Sequence, residues 1–372
     1  MHKIEFRVLV NTLLMVMLVS AALAAQDLRI VAPAGEGAVY AGASVRLVAR
    51  WDGVAAQDVR FRWSSNIDGE LGQGLETSTG ALSYASHRIS VEVLSGDSLI
   101  ERAETIVHVI TSPEQFTLST RTDWEGEYAH SGRQLAYTSF RSGDPEVWVA
   151  DVDSRFSERI TFSGGRNPVW SPDGRGLVFW SDRSGSRDLW FVDLGQKPRE
   201  AVRLTKYSST DWMPAFHPLE QKVAYISKRD KELRLMVLEL GAEDTVSVEV
   251  VGPERYPMFP RWSADGGNLL FTSFADSLPE LILYTLENGA FVQIGPQGCE
   301  DADLSPDGSS VLLVRDGELQ LLSLPGGELR PLTHESAGVL SPRFSSDGSR
   351  AVFATTRSGN YDLWMLDLPP RP

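Results

Sequence analysis

Acidic residues recur at three places in this sequence, twice beside a tryptophan: Asp123-Trp124-Glu125, Asp211-Trp212 and Glu300-Asp301, each just ahead of an alternating apolar run. Gathered around one axis, such carboxylates would raise one another's pKa and be relieved by a cation. Two ligands meet that condition. One is a hard cation such as calcium, suited to an all-oxygen site; the other is the basic part of a protein, with Trp124 and Trp212 as stacking surface. Paired carboxylates such as Asp123 and Asp211 would also permit acid-base work on a carbohydrate or peptide, at a separation the sequence does not give. Solvated lining of a rim is the plainer alternative. A second set, Arg141, Arg183, Arg229 and Arg357, follows apolar strands at equivalent places. It reads either as a ring contacting an anion or as a clamp on each residue's own loop, for instance to Asp188 or Asp362.

Other chemistries lack their residues. Gly-x-Ser-x-Gly, His-Glu-x-x-His, Cys-x-x-Cys and Walker-type glycine loops do not occur. His87, His108, His130, His217 and His334 are scattered and read as structural or surface groups, so nothing points to zinc.

The elements that must position the acids are given by a repeat. VWSPDGRGLVFWS from Val169 recurs as EYAHSGRQLAYTS from Glu127, AFHPLEQKVAYIS from Ala215, RWSADGGNLLFTS from Arg261, DLSPDGSSVLLVR from Asp303 and RFSSDGSRAVFAT from Arg343. Asp-Gly between alternating apolar runs is a hairpin signal, because Gly accepts the positive φ of such turns. A third strand follows each copy, as in DLWFVDL from Asp188 and DLWMLDL from Asp362, and the second copy adds a fourth, VRLT from Val202. Four strands per repeat of about 40 to 45 residues describe one blade of a β-propeller, and six copies make a six-bladed ring. The last copy lacks a fourth strand while FTLST, Phe116 to Thr120, precedes the first; pairing the two would close the ring. Trp148, Trp190 and Trp364, in one register of the third strand, read as core. The acidic clusters then fall on alternate blades, roughly 120° apart around one mouth of the channel.

NPVWSPDGRGLVFWSDRSGSRDLWFVDL and SPRFSSDGSRAVFATTRSGNYDLWMLDL resemble the WD40-like repeats of the TolB family of periplasmic six-bladed propellers. The third copy departs, with His217-Pro218-Leu219-Glu220 in place of Ser-Pro-Asp-Gly, and so does the fifth, with a tight Arg315-Asp316-Gly317 turn. The α/β domain that precedes the propeller in TolB has no counterpart here. Residues 26–112 instead alternate like a β-sandwich, and WSSNIDGELGQG with ALSYASHRISVEV is similar to PKD or immunoglobulin-like modules, with Trp63 as a core residue.

Residues 1–25 have the order of a secretory signal peptide: Lys3 and Arg7, an apolar run, then Ala22-Leu23-Ala24. No transmembrane segment is expected after its cleavage, and the expected location is periplasmic or secreted. A single cysteine, Cys299, gives no internal disulfide, and a net charge of −15 disfavours nucleic acid and anionic membranes. The sequence therefore describes an all-β chain: signal peptide 1–25, immunoglobulin-like sandwich 26–112 and six-bladed propeller 113–372, joined at Thr111 to Glu114. The resemblance implies a monomeric, non-catalytic protein that binds a protein partner in the cell envelope through the channel mouth. A propeller enzyme acting on carbohydrate or peptide at that mouth, and an envelope structural protein, are the competing readings.

Overall fold

The computed structural model describes residues 28–33, 37–52, 59–83, 85–206, 209–241, 246–333 and 338–368. The signal peptide expected over 1–25 and His334 lie outside them. Residues up to Val109 form one compact unit and those from Ile110 a second.

In the first unit the described residues form two sheets. Leu28–Ala32, Ser44–Trp51 and Glu76–Ala81 make a three-stranded sheet. Gly37–Tyr40, Ser98–Ile110, Ser86–Ser95, Val59–Ser65 and Gly69–Gln73 make a five-stranded one, in that spatial order. In Ser44–Trp51 the side chains of Val45, Leu47 and Ala49 are buried and those between point outward, the two-residue period of a strand with one wet face. They share a core with Trp63, whose ring is fully buried and whose Nε1 donates to the Gly74 carbonyl at 2.9 Å.

In the second unit the described residues form six four-stranded antiparallel sheets. The innermost strands are Asp123–Tyr128, Arg166–Trp170, Thr210–Phe216, Pro257–Trp262, Cys299–Leu304 and Val339–Phe344. Each touches the next and the last touches the first, so the sheets are blades of a closed ring. The hydrophobic cores lie between neighbouring blades. Tyr137, Phe179, Tyr225, Phe271, Leu313 and Phe353, the same position in six second strands, are at most 1% exposed. Each such side chain contributes about 1.5–3 kcal/mol through burial.

The repeated turn has a clear local cause. In the second blade Ser171 Oγ donates to Asp173 Oδ1 at 2.6 Å, Arg175 N donates to the same carboxylate at 3.0 Å, and Gly174 takes φ of 67°. In the third blade His217 does this work, with its Nδ1 accepting from Leu219 N at 3.1 Å and Glu220 N at 2.9 Å. The departure from Ser-Pro-Asp-Gly therefore keeps the turn.

Ring closure uses the expected segment, shifted by two residues. Glu114–Gln115 pairs with Trp364 and Met365 as the fourth strand of the last blade. Phe116 N then donates to the Leu363 carbonyl at 2.7 Å, and Leu363 N donates to Thr117 Oγ1 at 2.9 Å. Thr161, Thr205 and Thr333 accept from Val147, Leu189 and Leu319 in the same way, so the closing blade repeats the others.

Candidate binding site in the propeller channel

Each innermost strand carries a bulge one to three residues after its start, where its pairing register slips. Five of the six place a non-glycine residue in the left-handed region there: Glu125, Asn167, Met213, Phe259 and Ser341, with φ between 49° and 55°. Such residues cost of order 1–3 kcal/mol each, a strain the ring imposes to aim these side chains. The bulge divides the acidic residues into two groups.

Asp123 and Asp211, ahead of the bulge, are fully buried in the blade walls. Asp211 accepts from Ser227 Oγ at 2.7 Å and Ser209 Oγ at 3.1 Å, while Asp123 lies 3.4 Å from Arg141 Nη2. Burial raises both pKa values, against these hydrogen bonds. Trp212 packs on the core between the third and fourth blades. Glu125, Asp301 and the exposed Glu300 do come together, with Trp124, Phe259, Val339, Leu340 and Ser341, around a cavity of about 220 Å³ at the mouth. Glu125 accepts from Thr138 Oγ1 at 2.6 Å and Asn167 N at 2.8 Å. Asp301 is 4% exposed, its Oδ1 has no hydrogen-bond donor, and Arg343 Nη1 stands 3.6 Å off. Burial pushes the Asp301 carboxyl up to about 7, with Arg261 pulling it down less strongly and Glu125 adding to the rise.

Sequence reasoning missed the next layer down the channel. Glu127, Arg261, Asp303 and Arg343 follow the bulge by two residues on the first, fourth, fifth and sixth blades, where the other two blades carry Val169 and Ala215. Burial raises Glu127 and Asp303 to about 7 each. The signal was available, since all four stand immediately before the repeated aromatic or Leu position that opens the hairpin turn.

The four loop arginines serve their own blades. Arg141 stacks on Trp148 at 4.5 Å and donates to Tyr137 Oη at 2.8 Å, Arg183 stacks on Trp190 at 4.9 Å, and Arg357 lies over Trp364 at 5.3 Å. Arg229 Nε donates to Ser227 Oγ at 3.2 Å. At the two aspartates where clamps were expected, Arg203 holds Asp188 at 2.9 Å, and Gln115 Nε2 and Ser358 Oγ donate to Asp362. The third-strand tryptophans are half-buried, each packed against an inter-blade core as expected and covered by an arginine on its other side. For calcium, the described residues contain no group of three or more His, Cys, Asp or Glu placed to hold a metal ion.

A family model described as the TolB beta propeller domain matches residues 111–252. The chain carries a β-propeller whose first part is similar to that domain. The chain is 24% identical over 155 residues to the Tol-Pal system protein TolB of Bordetella pertussis, a match covering 40% of this chain and 35% of that one. It is 26% identical over 190 residues to an uncharacterized protein of Agrobacterium fabrum, covering 47% and 64%. The chain thus spans less than two thirds of the length of these relatives. Among solved structures, a putative TolB from Agrobacterium tumefaciens superposes with a TM-score of 0.56 at 14% identity, over 73% of this chain and 95% of that one. An oligogalacturonate lyase in complex with manganese does so with a TM-score of 0.53 at 15% identity, over 68% and 92%. Those two likenesses concern the fold alone. Among the described residues no helix is long and apolar enough to cross a membrane.

Proposed function

We propose that this chain is an exported, non-catalytic binding protein of the periplasm or cell envelope. Its TolB-like propeller engages the basic, apolar-flanked part of a protein partner at the Trp124 mouth, and its N-terminal unit is an immunoglobulin- or PKD-like spacer. One observation carries the reading. Asp301 is a buried carboxylate with an unsatisfied oxygen in a cavity walled by Trp124, Phe259 and Leu340. A lysine or arginine tip supplies the missing donor and covers the aromatic faces, a combination worth more in a desolvated pocket than on an open surface. Binding at a recessed charge with aromatic anchors fits a hot spot surrounded by a polar rim. The competing enzymatic reading would need its acid-base pair at the same mouth. Asp123 and Asp211 are committed to wall hydrogen bonds, which leaves Glu125 and Asp301 for that role.

The test is capture of partners from envelope extract with the full chain, compared with Trp124→Ala, Asp301→Asn and the distant surface variant Phe156→Ser. A partner retained by Phe156→Ser and lost by the two mouth variants supports the reading. Equal capture by all four proteins removes it, and turnover of an oligosaccharide or peptide that depends on Asp301 replaces it with the enzymatic one.

A further inference from the structure

The channel has a second end. Beyond the charged layer the six hairpin turns enclose a separate cavity of about 300 Å³, facing away from the Trp124 mouth and unused by the function proposed above. Its floor is Glu127, Arg261, Asp303 and Arg343, and Phe216 and Trp262 stand in its wall. Arg261 is 7% and Arg343 5% exposed, a heavily desolvated setting for two guanidinium groups. Their Nη1 atoms donate to the Pro260 and Pro342 carbonyls, and the nearest carboxylate, Asp301, stands 3.6 Å from Arg343 Nη1, outside hydrogen-bond distance. Arg261 Nε has no hydrogen-bond partner, Arg343 Nε is 3.9 Å from Glu127 Oε2, and Asp303 Oδ2 accepts only from Phe344 N, at 2.9 Å. Two guanidinium groups and two carboxyl groups therefore face one half-open cavity with hydrogen-bonding capacity to spare.

The charge balance of that floor limits the ligand. A simple anion would meet Glu127 and Asp303, and a simple cation would meet Arg261 and Arg343, so either leaves a repelled pair in a low-dielectric cup. A ligand with both charges on adjacent atoms leaves none. We propose that the hairpin end of the channel binds a small zwitterion of the α-amino-acid class: its carboxylate on Arg261 and Arg343, its ammonium on Glu127 and Asp303, and an apolar side chain against Phe216 and Trp262. The cavity volume suits one amino acid of leucine size. The site is independent of the Trp124 mouth.

The experiment is calorimetric titration of the full chain with L-leucine, with its methyl ester, which keeps only the cation, with N-acetyl-leucine, which keeps only the anion, and with glucose as a neutral polyol of similar size. L-leucine should bind, and each singly charged analogue should bind at least ~10-fold more weakly, the loss of one charge-assisted contact. No heat with L-leucine overturns the proposal, as do equal affinities across the three leucine compounds or binding of glucose alone. These arms use the native chain, so they stand even if Arg261→Gln fails to fold. A folded Arg261→Gln protein should lose L-leucine binding. Trp124→Ala should keep it, which separates failure of this site from failure of the mouth.

Discussion

Replacing Asp301 with Asn should stabilise the propeller by an amount that grows between about pH 4 and 7 and is complete above that. The carboxyl is 4% exposed and burial lifts it from an ordinary 3.8 to about 7. At ~1.4 kcal/mol per pH unit, that displacement corresponds to about 4 kcal/mol of free energy. The sign follows from proton binding. Between about pH 4 and 7 the folded chain holds this proton more firmly than the unfolded chain, so this group's contribution to stability falls as pH rises through that window. Above pH 7 the folded state must carry a buried carboxylate whose Oδ1 has no donor. Asn removes that charge, and at pH 4, where the folded carboxyl is protonated and the unfolded one has only begun to ionise, the exchange should be close to neutral. Chemical denaturation of both proteins at pH 4, 6 and 8 measures it: the gain should be absent at pH 4 and reach up to about 4 kcal/mol at pH 8. Arg343, 3.6 Å away, loses a counter-charge and holds the gain below that ceiling. A stability difference independent of pH, or a loss at pH 8, would refute the argument that desolvation governs this residue.

Three further outcomes are expected. Thr117→Val leaves Leu363 N without its acceptor at the ring closure and should cost about 1–3 kcal/mol in denaturant melts. Trp63→Ala should lower the stability of the first unit by about 3–5 kcal/mol, and the excised 28–109 fragment should unfold cooperatively in calorimetry. Affinity of a basic partner for the Trp124 mouth should rise as pH increases through about 7, when Asp301 ionises, and the Asp301→Asn protein should show no such rise.

The ring was legible because its signals repeat. Six turns with alternating apolar flanks specify blades, and an unattached strand ahead of the first copy specifies the closure to within two residues. The channel was less legible because of the bulge. In a regular strand Asp123 and Glu125 would share one face, but the slip between Trp124 and Glu127 leaves Asp123 in the wall while Glu125 lines the mouth. Positive φ at Glu125, Asn167, Met213, Phe259 and Ser341 carries no glycine signature, so nothing in the residue types announces the turn toward the axis. Arg261 and Arg343 were passed over for another reason: each was read as the first letter of a hairpin motif rather than as a side chain in a channel.

The ring's closure sets the order in which the chain can fold. Leu189 and Thr205 meet across 16 residues within one blade, whereas Leu363 and Thr117 meet across 246. By loop-closure entropy the second contact costs about 2 kcal/mol more to form, so five blades can assemble locally while the sixth waits for both of its contributors. Until then Asp362–Asp367 is a bare edge with its hydrogen-bonding groups unsatisfied on one side, open to the same segment of another molecule. A nascent or stalled chain lacking its final residues would remain an open arc. The most aggregation-prone moment in this protein's life is therefore the interval between the making of the fifth blade and the return of Glu114–Thr117 to the sixth.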